Sequence, residues 1–456
     1  MSIFFAQQHR AAPSPGHRNI WQRPRLSSAR LHHALLAAIL LAANAIAAAQ
    51  APLTLAEAQR RAVERSRQLA AQDFAVTAAR EMALAAGQLP DPVATVGVNN
   101  LPINGDDAFS LTRDFMTMTS VGVMQEFTRG EKREARAERF EREAQKSLAM
   151  RTAGIAAIHR DTALAWLDWY YAEATAKVVT EQSSQARLEI EAAESVYRAG
   201  RGSLADILAA RSALVLLDDR ASEVGRKLRA AKIALARWVG NVDGATLAGK
   251  PVLDAIRLDP RTLEDDLARH PQIAVLTSQE EVAAADVRVA QANKKADWSL
   301  ALMYSQRGSA YSNMISINVS VPLQWDQQNR QDREVAAKLA MLDQARAERE
   351  DMLRAQAAEV RAIMVEWEND RERLARYERE VLPLATERTQ VMLAAYRGAK
   401  ASIVDVLGAR RGEVDIRMMA LQLEMETARL WAQLNFLFPD VDKPIKTGAM
   451  FTKDSR

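Results

Sequence analysis

The chain carries the same stretch twice, at a spacing the size of a domain. Tyr197-Arg198-Ala199-Gly200-Arg201-Gly202-Ser203-Leu204-Ala205-Asp206-Ile207-Leu208 returns as Tyr396-Arg397-Gly398-Ala399-Lys400-Ala401-Ser402-Ile403-Val404-Asp405-Val406-Leu407. Matching positions lie 199 residues apart, too far for a small solenoid repeat, so a duplicated unit of domain size is expected. Each copy closes one long helical pattern and opens another. Each half should therefore fold as a long helical hairpin with this motif at its tip, and a protomer of two like halves suits a ring.

The order of elements around the two hairpins also repeats. In the first half a helical pattern over residues 53–88 meets the stop Leu89-Pro90-Asp91-Pro92. Thr54 and Glu57 have the spacing of a capping box at its start. Two alternating segments follow, 93–99 and 117–127, joined by a polar connection over 100–114. A helix over 130–197 comes next, in which Leu164, Leu167, Tyr171, Ala174 and Val178 step by three and four as in a coiled-coil seam. A return helix covers 204–239. In the second half, helix 262–295, strands 298–305 and 314–321, helix 327–396 and return helix 403–436 follow the same order. Pro383 should kink the longer helix, because it removes an amide donor and crowds the preceding turn. The expected divisions are a leader (1–49), a first repeat (50–241), a crossover (242–261), a second repeat (262–437) and a tail (438–456).

The strand pairs limit where the chain can reside. Leu300, Leu302 and Tyr304 fall on one face of their strand, while Ser299, Ala301 and Ser305 fall on the other. In the partner strand Ile315, Ile317, Val319 and Val321 oppose Ser316, Asn318 and Ser320. An apolar face backed by a small polar one is the pattern of a membrane barrel, with lipid outside and water inside. Amphipathic hairpins packed on a soluble core would give the same alternation. The export signal and the long helices favour the membrane. Lipid tolerates only a closed barrel, and four strands cannot enclose a useful pore, so several chains must share one. Trp298 and Tyr304 lie about 20 Å apart along a strand, which suits two interfacial girdles. The connection between paired strands is about ten residues longer in the first half, which places both connections at the exposed, outer end.

Composition enters through the N-terminus. Arg30 precedes an apolar run over 34–46, and Ala47, Ala48 and Ala49 follow, which is the order of a cleaved secretory signal with its cut before Gln50. Residues 1–29 read as an upstream extension of the reading frame. Residues 1–49 hold five Arg and no acid; without them 56 basic and 58 acidic residues remain, a formal charge of about −2. Nucleic-acid binding thereby loses its electrostatic support. The chain has no cysteine, which rules out disulfides, thiol catalysis, Cys-based metal sites and N-terminal lipidation. It has no Gly-rich phosphate loop, zinc motif or nucleophile elbow, so neither an enzyme nor a bound cofactor is expected.

These segments together resemble the TolC family of outer-membrane efflux channels. The resemblance covers residues 52–438. It rests on Leu53-Thr54-Leu55-Ala56-Glu57-Ala58, on Leu89-Pro90-Asp91-Pro92, on residues 125–133, on Val321-Pro322-Leu323 and on both tip motifs, in that order. It implies a mainly α fold with a membrane β part: two repeats of long helical hairpins forming an α-barrel, and four strands per protomer in a shared, trimeric twelve-stranded β-barrel. It further implies a passive exit duct that is a homotrimer in outer-membrane lipid, meeting a periplasmic adaptor (membrane fusion) protein and an inner-membrane pump of the RND type. Asn100-Leu101-Pro102, Phe115-Met116-Thr117-Met118 and Gly130-Glu131-Lys132-Arg133 are most similar to the heavy-metal efflux subgroup, although Arg129-Gly130 stands where a Pro-containing turn is expected. The alternatives are a drug-efflux or type I secretion channel. From other classes, a periplasmic coiled-coil adaptor would bring a lipoyl-like β-domain in place of lipid-facing strands, and a structural filament protein would bring unbroken heptads.

Ser203 with Asp206 and Ser402 with Asp405 have capping-box spacing, which by itself calls for two helix N-termini. At the periplasmic mouth of a trimer, Asp206 and Asp405 would also form rings able to attract cations or close a gate. Leu204, Ile207, Ile403 and Val406, with the turn residues Gly200, Ser203, Gly398 and Ser402, are candidates for adaptor contact, against the alternative of packing on the neighbouring helix. Met116 and Met118 are expected on one strand face, and Met303 and Met314 on the polar face of the second pair; thioethers suit soft metal ions but also fill gaps. His159 and His270 are expected as helix-surface residues.

Overall fold

The computed structural model describes residues 52–200 and 202–439. The leader and signal, the proposed cleavage before Gln50, Arg201 and the tail from residue 440 lie outside the described residues. The folded unit begins at Leu53.

Helix α1 (Leu55–Arg65) starts at Thr54, whose hydroxyl accepts the Glu57 amide at 3.1 Å. The second half of the expected capping box is missing, because the Glu57 carboxylate binds Arg60 and Arg61 instead. Helix α2 (Arg67–Ala86) is a separate element, so the single helix expected over 53–88 is broken. Ser66 takes an extended ψ of 111°, and its hydroxyl accepts the Leu69 amide, ending one helix and capping the next. Helix α3 (Gly130–Arg198) runs 69 residues without interruption, about 100 Å at the usual rise. Helix α4 (Leu204–Val239) returns alongside it.

The second half differs from expectation in the same way. Helices α5 (Leu263–Ala268) and α6 (Pro271–Asn293) replace one helix over 262–295. Pro271 brings no amide, and His270 Nδ1 accepts the Gln272 N–H, so a new helix begins there. Residues 325–330 form turns, and α7 (Gln331–Arg376) follows them. A π turn (Tyr377–Val381) then leads into α8 (Leu382–Arg397). Pro383 cannot donate to the carbonyl four residues back. The preceding turn lengthens so that Leu382 N–H reaches Tyr377 O, and the expected kink is realised as a π bulge. Helix α9 (Ile403–Asn435) completes the second hairpin.

Strands β1 (Val93–Asn99), β2 (Met118–Phe127), β3 (Trp298–Gln306) and β4 (Met314–Ser320) form one antiparallel sheet in the order β1-β2-β3-β4. The β2–β3 seam joins the two halves, with Val121 opposite Tyr304 and Phe127 opposite Trp298. On the helical side α2, α3, α6 and α7 pack in a row that repeats the strand order. Farther along, Trp166, Trp169, Tyr171, Trp367 and Trp431 anchor the main core, and the crossover contributes Leu253 and Leu258 to it. Leu53 is tied to this core: its N–H donates to Thr246 O at 2.8 Å, and its carbonyl accepts the Trp166 Nε1–H at 3.0 Å.

Candidate functional site

Strand register decides which side chains share a face of the sheet. Directly paired residues point the same way, so Val96, Val121, Tyr304 and Ile315 form one cross-strand row, and Val123, Leu302 and Ile317 form the next. Val96, Ile315 and Ile317 are 76%, 72% and 69% exposed. The opposite face carries Thr95, Gly97, Ser120, Ala301, Ser316 and Asn318. Among the described residues no second layer covers the apolar face, and β1 and β4 each leave an edge unpaired. Neither edge strand contains a charged residue or a proline, the usual devices against edge-to-edge pairing.

Trp298 and Tyr304 sit at opposite ends of β3 on the apolar face. The Trp298 ring stacks on Phe127, centroid to centroid 4.3 Å and 14° from parallel. The Tyr304 hydroxyl accepts a hydrogen bond from Asn313 Nδ2 at 2.8 Å. Met303 and Met314 lie on the polar face, as expected. Met116 does not share a strand with Met118. It lies in the turn before β2, where its amide donates to Asp114 Oδ1 and its carbonyl accepts from Asn100 Nδ2.

A polar collar joins sheet to helices. Asp297, the last residue before β3, accepts from the Arg129 amide at 3.0 Å and from Lys132 Nζ at 2.7 Å, at the start of α3. Lys132 is only 7% exposed. Burial alone would raise the Asp297 carboxyl, but the Lys132 and Arg129 hydrogen bonds and the Lys132 charge outweigh it and hold the carboxyl below its ordinary range. Farther along the helices Arg139 Nε lies 3.0 Å and Lys338 Nζ 3.4 Å from opposite oxygens of Asp286, linking α3, α6 and α7.

At the other end, both tip motifs form reciprocal capping boxes. Ser203 Oγ accepts the Asp206 amide at 3.2 Å, and Asp206 Oδ2 accepts the Ser203 amide at 3.0 Å. Ser402 and Asp405 repeat this at 3.2 and 2.9 Å. The Ser402 hydroxyl and amide hold the Asp405 carboxyl below its usual range. Gly200, with φ +70°, makes a left-handed turn residue after α3, whereas at the second tip Gly398 has φ −83° and Ala399 takes the left-handed conformation. Both caps are exposed, but the apolar candidates divide. Leu204 is 56% exposed, whereas Ile207, Ile403 and Val406 are buried. α4 packs on α3 and α9 on α8 and α3, which covers three of the four, so for Ile207, Ile403 and Val406 the packing alternative is met within the chain. Exposed Leu208 and Val404 are the apolar neighbours that the sequence reading passed over.

Ion pairs tie the two hairpins together above the tips. Arg410 of α9 lies 2.5 Å from Glu189 of α3, and Arg220 of α4 lies 3.1 Å from Asp415 of α9. A cavity of about 230 Å³ between these pairs is lined on its apolar side by Leu216, Leu407 and Val414. Burial pushes the Glu189 carboxyl up despite the opposing pull of Arg410. His159 and His270 are each partly buried on their helices. His270 caps α6, and burial with help from Arg160 pushes its pKa down to about 4. His159 is half-buried and likewise held neutral, by burial and then Arg257. Among the described residues no three His, Asp or Glu side chains converge as a metal ligand set.

No protein-family model matches the chain. No curated protein sequence matches it either. Solved structures do. CusC, described as forming a transmembrane channel, superposes with a TM-score of 0.70 at 15% identity over 84% of this chain and 92% of its own. The outer membrane protein VceC of Vibrio cholerae gives 0.67 at 19%, over 84% and 95%. The outer-membrane channel MtrE of Neisseria gonorrhoeae, in its open state, gives 0.66 at 16%, over 84% and 88%. The chain has the fold of these channels. None of its described helices is long and apolar enough to cross a membrane.

Proposed function

We propose that the chain is one subunit of a TolC-family outer-membrane channel, and that three copies close their sheets into one twelve-stranded barrel. The observation that carries this reading is the bare four-stranded sheet, apolar on one face and open at two uncharged edges. β1 and β4 run in opposite directions, so β4 of one copy meets β1 of the next as an antiparallel pair, and the barrel closes with an even strand number. The apolar face then meets lipid and the small polar face lines the pore. The helical row continues the duct into the periplasm.

In this reading the protein is a passive exit duct. It performs no chemistry; an inner-membrane pump of the RND type supplies energy and cargo through an adaptor that meets the hairpin tips. Asp206 and Asp405 form acidic rings at that mouth, and Trp298 and Tyr304 mark the two membrane interfaces. Heavy-metal cations are the proposed cargo. The segments around Asn100, Phe115 and Gly130 support that choice, as does the similarity to CusC. The comparable fit to VceC and MtrE keeps a drug-efflux or secretion channel as the second reading.

The full chain expressed in a Gram-negative host should fractionate with the outer membrane, require detergent for extraction and run as a heat-resistant trimer. Purification as a water-soluble monomer would refute the assignment. A deletion strain sensitised to divalent cations, copper or silver supports the metal cargo; sensitisation to drugs alone supports the second reading.

A further inference from the structure

The cavity of about 230 Å³ between the two hairpins has no part in the proposed duct. Three helices build it with the same spacing. Gln182, Ala186 and Glu189 of α3 step by four and three. Ala213, Leu216 and Arg220 of α4 step by three and four, and Leu407, Arg411 and Val414 of α9 by four and three. Residues so spaced share one helix face, so each helix gives about two turns of side chains to the same space. The short side chains of Ala186 and Ala213 leave that space open on α3 and α4, which otherwise pack together.

Size and access suit an organic molecule. An engineered aliphatic cavity of about 150 Å³ already binds benzene. At about 30 Å³ for each non-hydrogen atom, the share of one water in the liquid, this cavity holds about eight. Ala186 and Val414 are buried, whereas Leu216 is 61% exposed and Arg411 is exposed, so the cavity opens to solvent on their side. The ion pairs set the levels along the helices. Glu189 lies against Arg410, which puts the adjacent Arg411 near that level. Gln182 stands seven residues away along α3, about 10 Å at the usual rise.

Two polar groups of the lining, one toward each end, have no partner. Gln182 is only 6% exposed, yet its side-chain amide makes no hydrogen bond among the described residues. A buried amide left unpaired costs stability, and a bound polar group would offset that cost. The Arg411 guanidinium has no ion pair or hydrogen bond among the described residues. The other charges cancel, since Glu189 lies against Arg410 and Asp415 against Arg220. One positive charge is left over at the open side, with apolar walls beyond it and a buried amide at the far end. A cation would be repelled there, and a purely apolar molecule would leave both groups unpaired. A carboxylate matches the guanidinium fork, and an uncharged polar group matches the amide, which both donates and accepts.

We infer that this cavity binds a small, elongated carboxylate with an apolar middle and an uncharged polar far end. The carboxylate pairs with Arg411, the middle rests on Leu216, Leu407 and Val414, and the far group hydrogen-bonds to the Gln182 amide. The site lies within one copy of the chain and goes beyond the channel reading. The probe is para-hydroxyphenylpropanoate. Titrated calorimetrically into the full chain in detergent, against a detergent blank, it should saturate at one site per chain. Phenylpropanoate, which lacks the hydroxyl, and tyramine, which replaces the anion by a cation, should each bind about tenfold more weakly or worse. Ala186→Leu should fill the cavity and abolish binding, and Arg411→Gln should remove the preference over tyramine. Gln182→Leu should remove the preference for the hydroxyl and raise the denaturation midpoint of the ligand-free protein, because an unpaired buried amide is gone; a merely structural Gln182 would lower it. If Ala186→Leu fails to fold, the other two variants decide. No saturable binding, binding that survives Ala186→Leu, or equal binding of the three compounds overturns the site. Heat-resistant trimers persist under each of these outcomes, so a failed titration leaves the channel reading standing, whereas a water-soluble monomer that still binds the probe overturns the channel alone.

Discussion

Single residues mark the ends of elements in this protein. Asp297 stabilises the collar through its ionised form. Its carboxyl is held below the ordinary range, so its contribution is full above the unfolded value near pH 4 and is lost as pH falls through the lower folded value. Asp297→Ala leaves Lys132 buried without a partner and should cost about 3–5 kcal/mol in denaturation measured in detergent. Asp297→Asn should in addition flatten the acid limb of stability against pH; an unchanged acid limb would remove Asp297 from the account. Asp405 follows the same sign at the tip, where it is fully exposed and acts on the cap alone. The cap residues were legible in the sequence, because Ser and Asp three apart bind each other's amides whatever surrounds them. The buried state of Ile207, Ile403 and Val406 was not legible: a tip motif has no sign saying which side meets the facing helix.

At the scale of elements, β1 and β3 start where the alternation starts, and each strand ends within a residue of its sequence limit. Side-chain period two leaves no freedom in a strip with one apolar face. Helix breaks were harder to read. Ser66 and His270 interrupt patterns whose apolar periodicity continues past them, and each break is set by a side chain that caps the following helix. Gly122 is the element-level constraint on the sheet. A Cβ there would lie 2.9 Å from the Leu302 carbonyl oxygen, across the seam between the halves. Gly122→Val should therefore force β2 and β3 apart and cost about 1–3 kcal/mol. Gly97 has open space around its Cβ position, so Gly97→Val should change stability by less than about 0.5 kcal/mol. Denaturant midpoints of the two variants, compared in the same detergent, check the contrast.

At the scale of the whole molecule, the protomer is an open strip of four strands and four aligned helices with two unfinished ends. Both ends expose apolar surface: among the described residues no layer covers the sheet, and α2 exposes Phe74. In the proposed trimer, closure by copies of the chain would resolve both. It would also bring the tips together, so that a charge exposed in one subunit would become a ring in three. Asp206→Ala with Asp405→Ala should raise single-channel conductance or reduce cation preference in planar bilayers. Unchanged conductance and selectivity would leave the two carboxylates as helix caps and nothing more.

The duplication, the strand faces, the hairpin tips and the absence of cysteine were all set by the sequence alone, because each depends on spacing along the chain and on chemistry local to it. Tertiary structure alone decided which tip side chains are buried, how Asp297 holds the start of α3, where the histidines sit and how the proline is absorbed as a π bulge. These depend on what lies opposite in space: Asp297 meets Arg129 across 168 positions, and the tip side chains are covered because α4 packs on α3 and α9 on α8 and α3, neither of which a local pattern states.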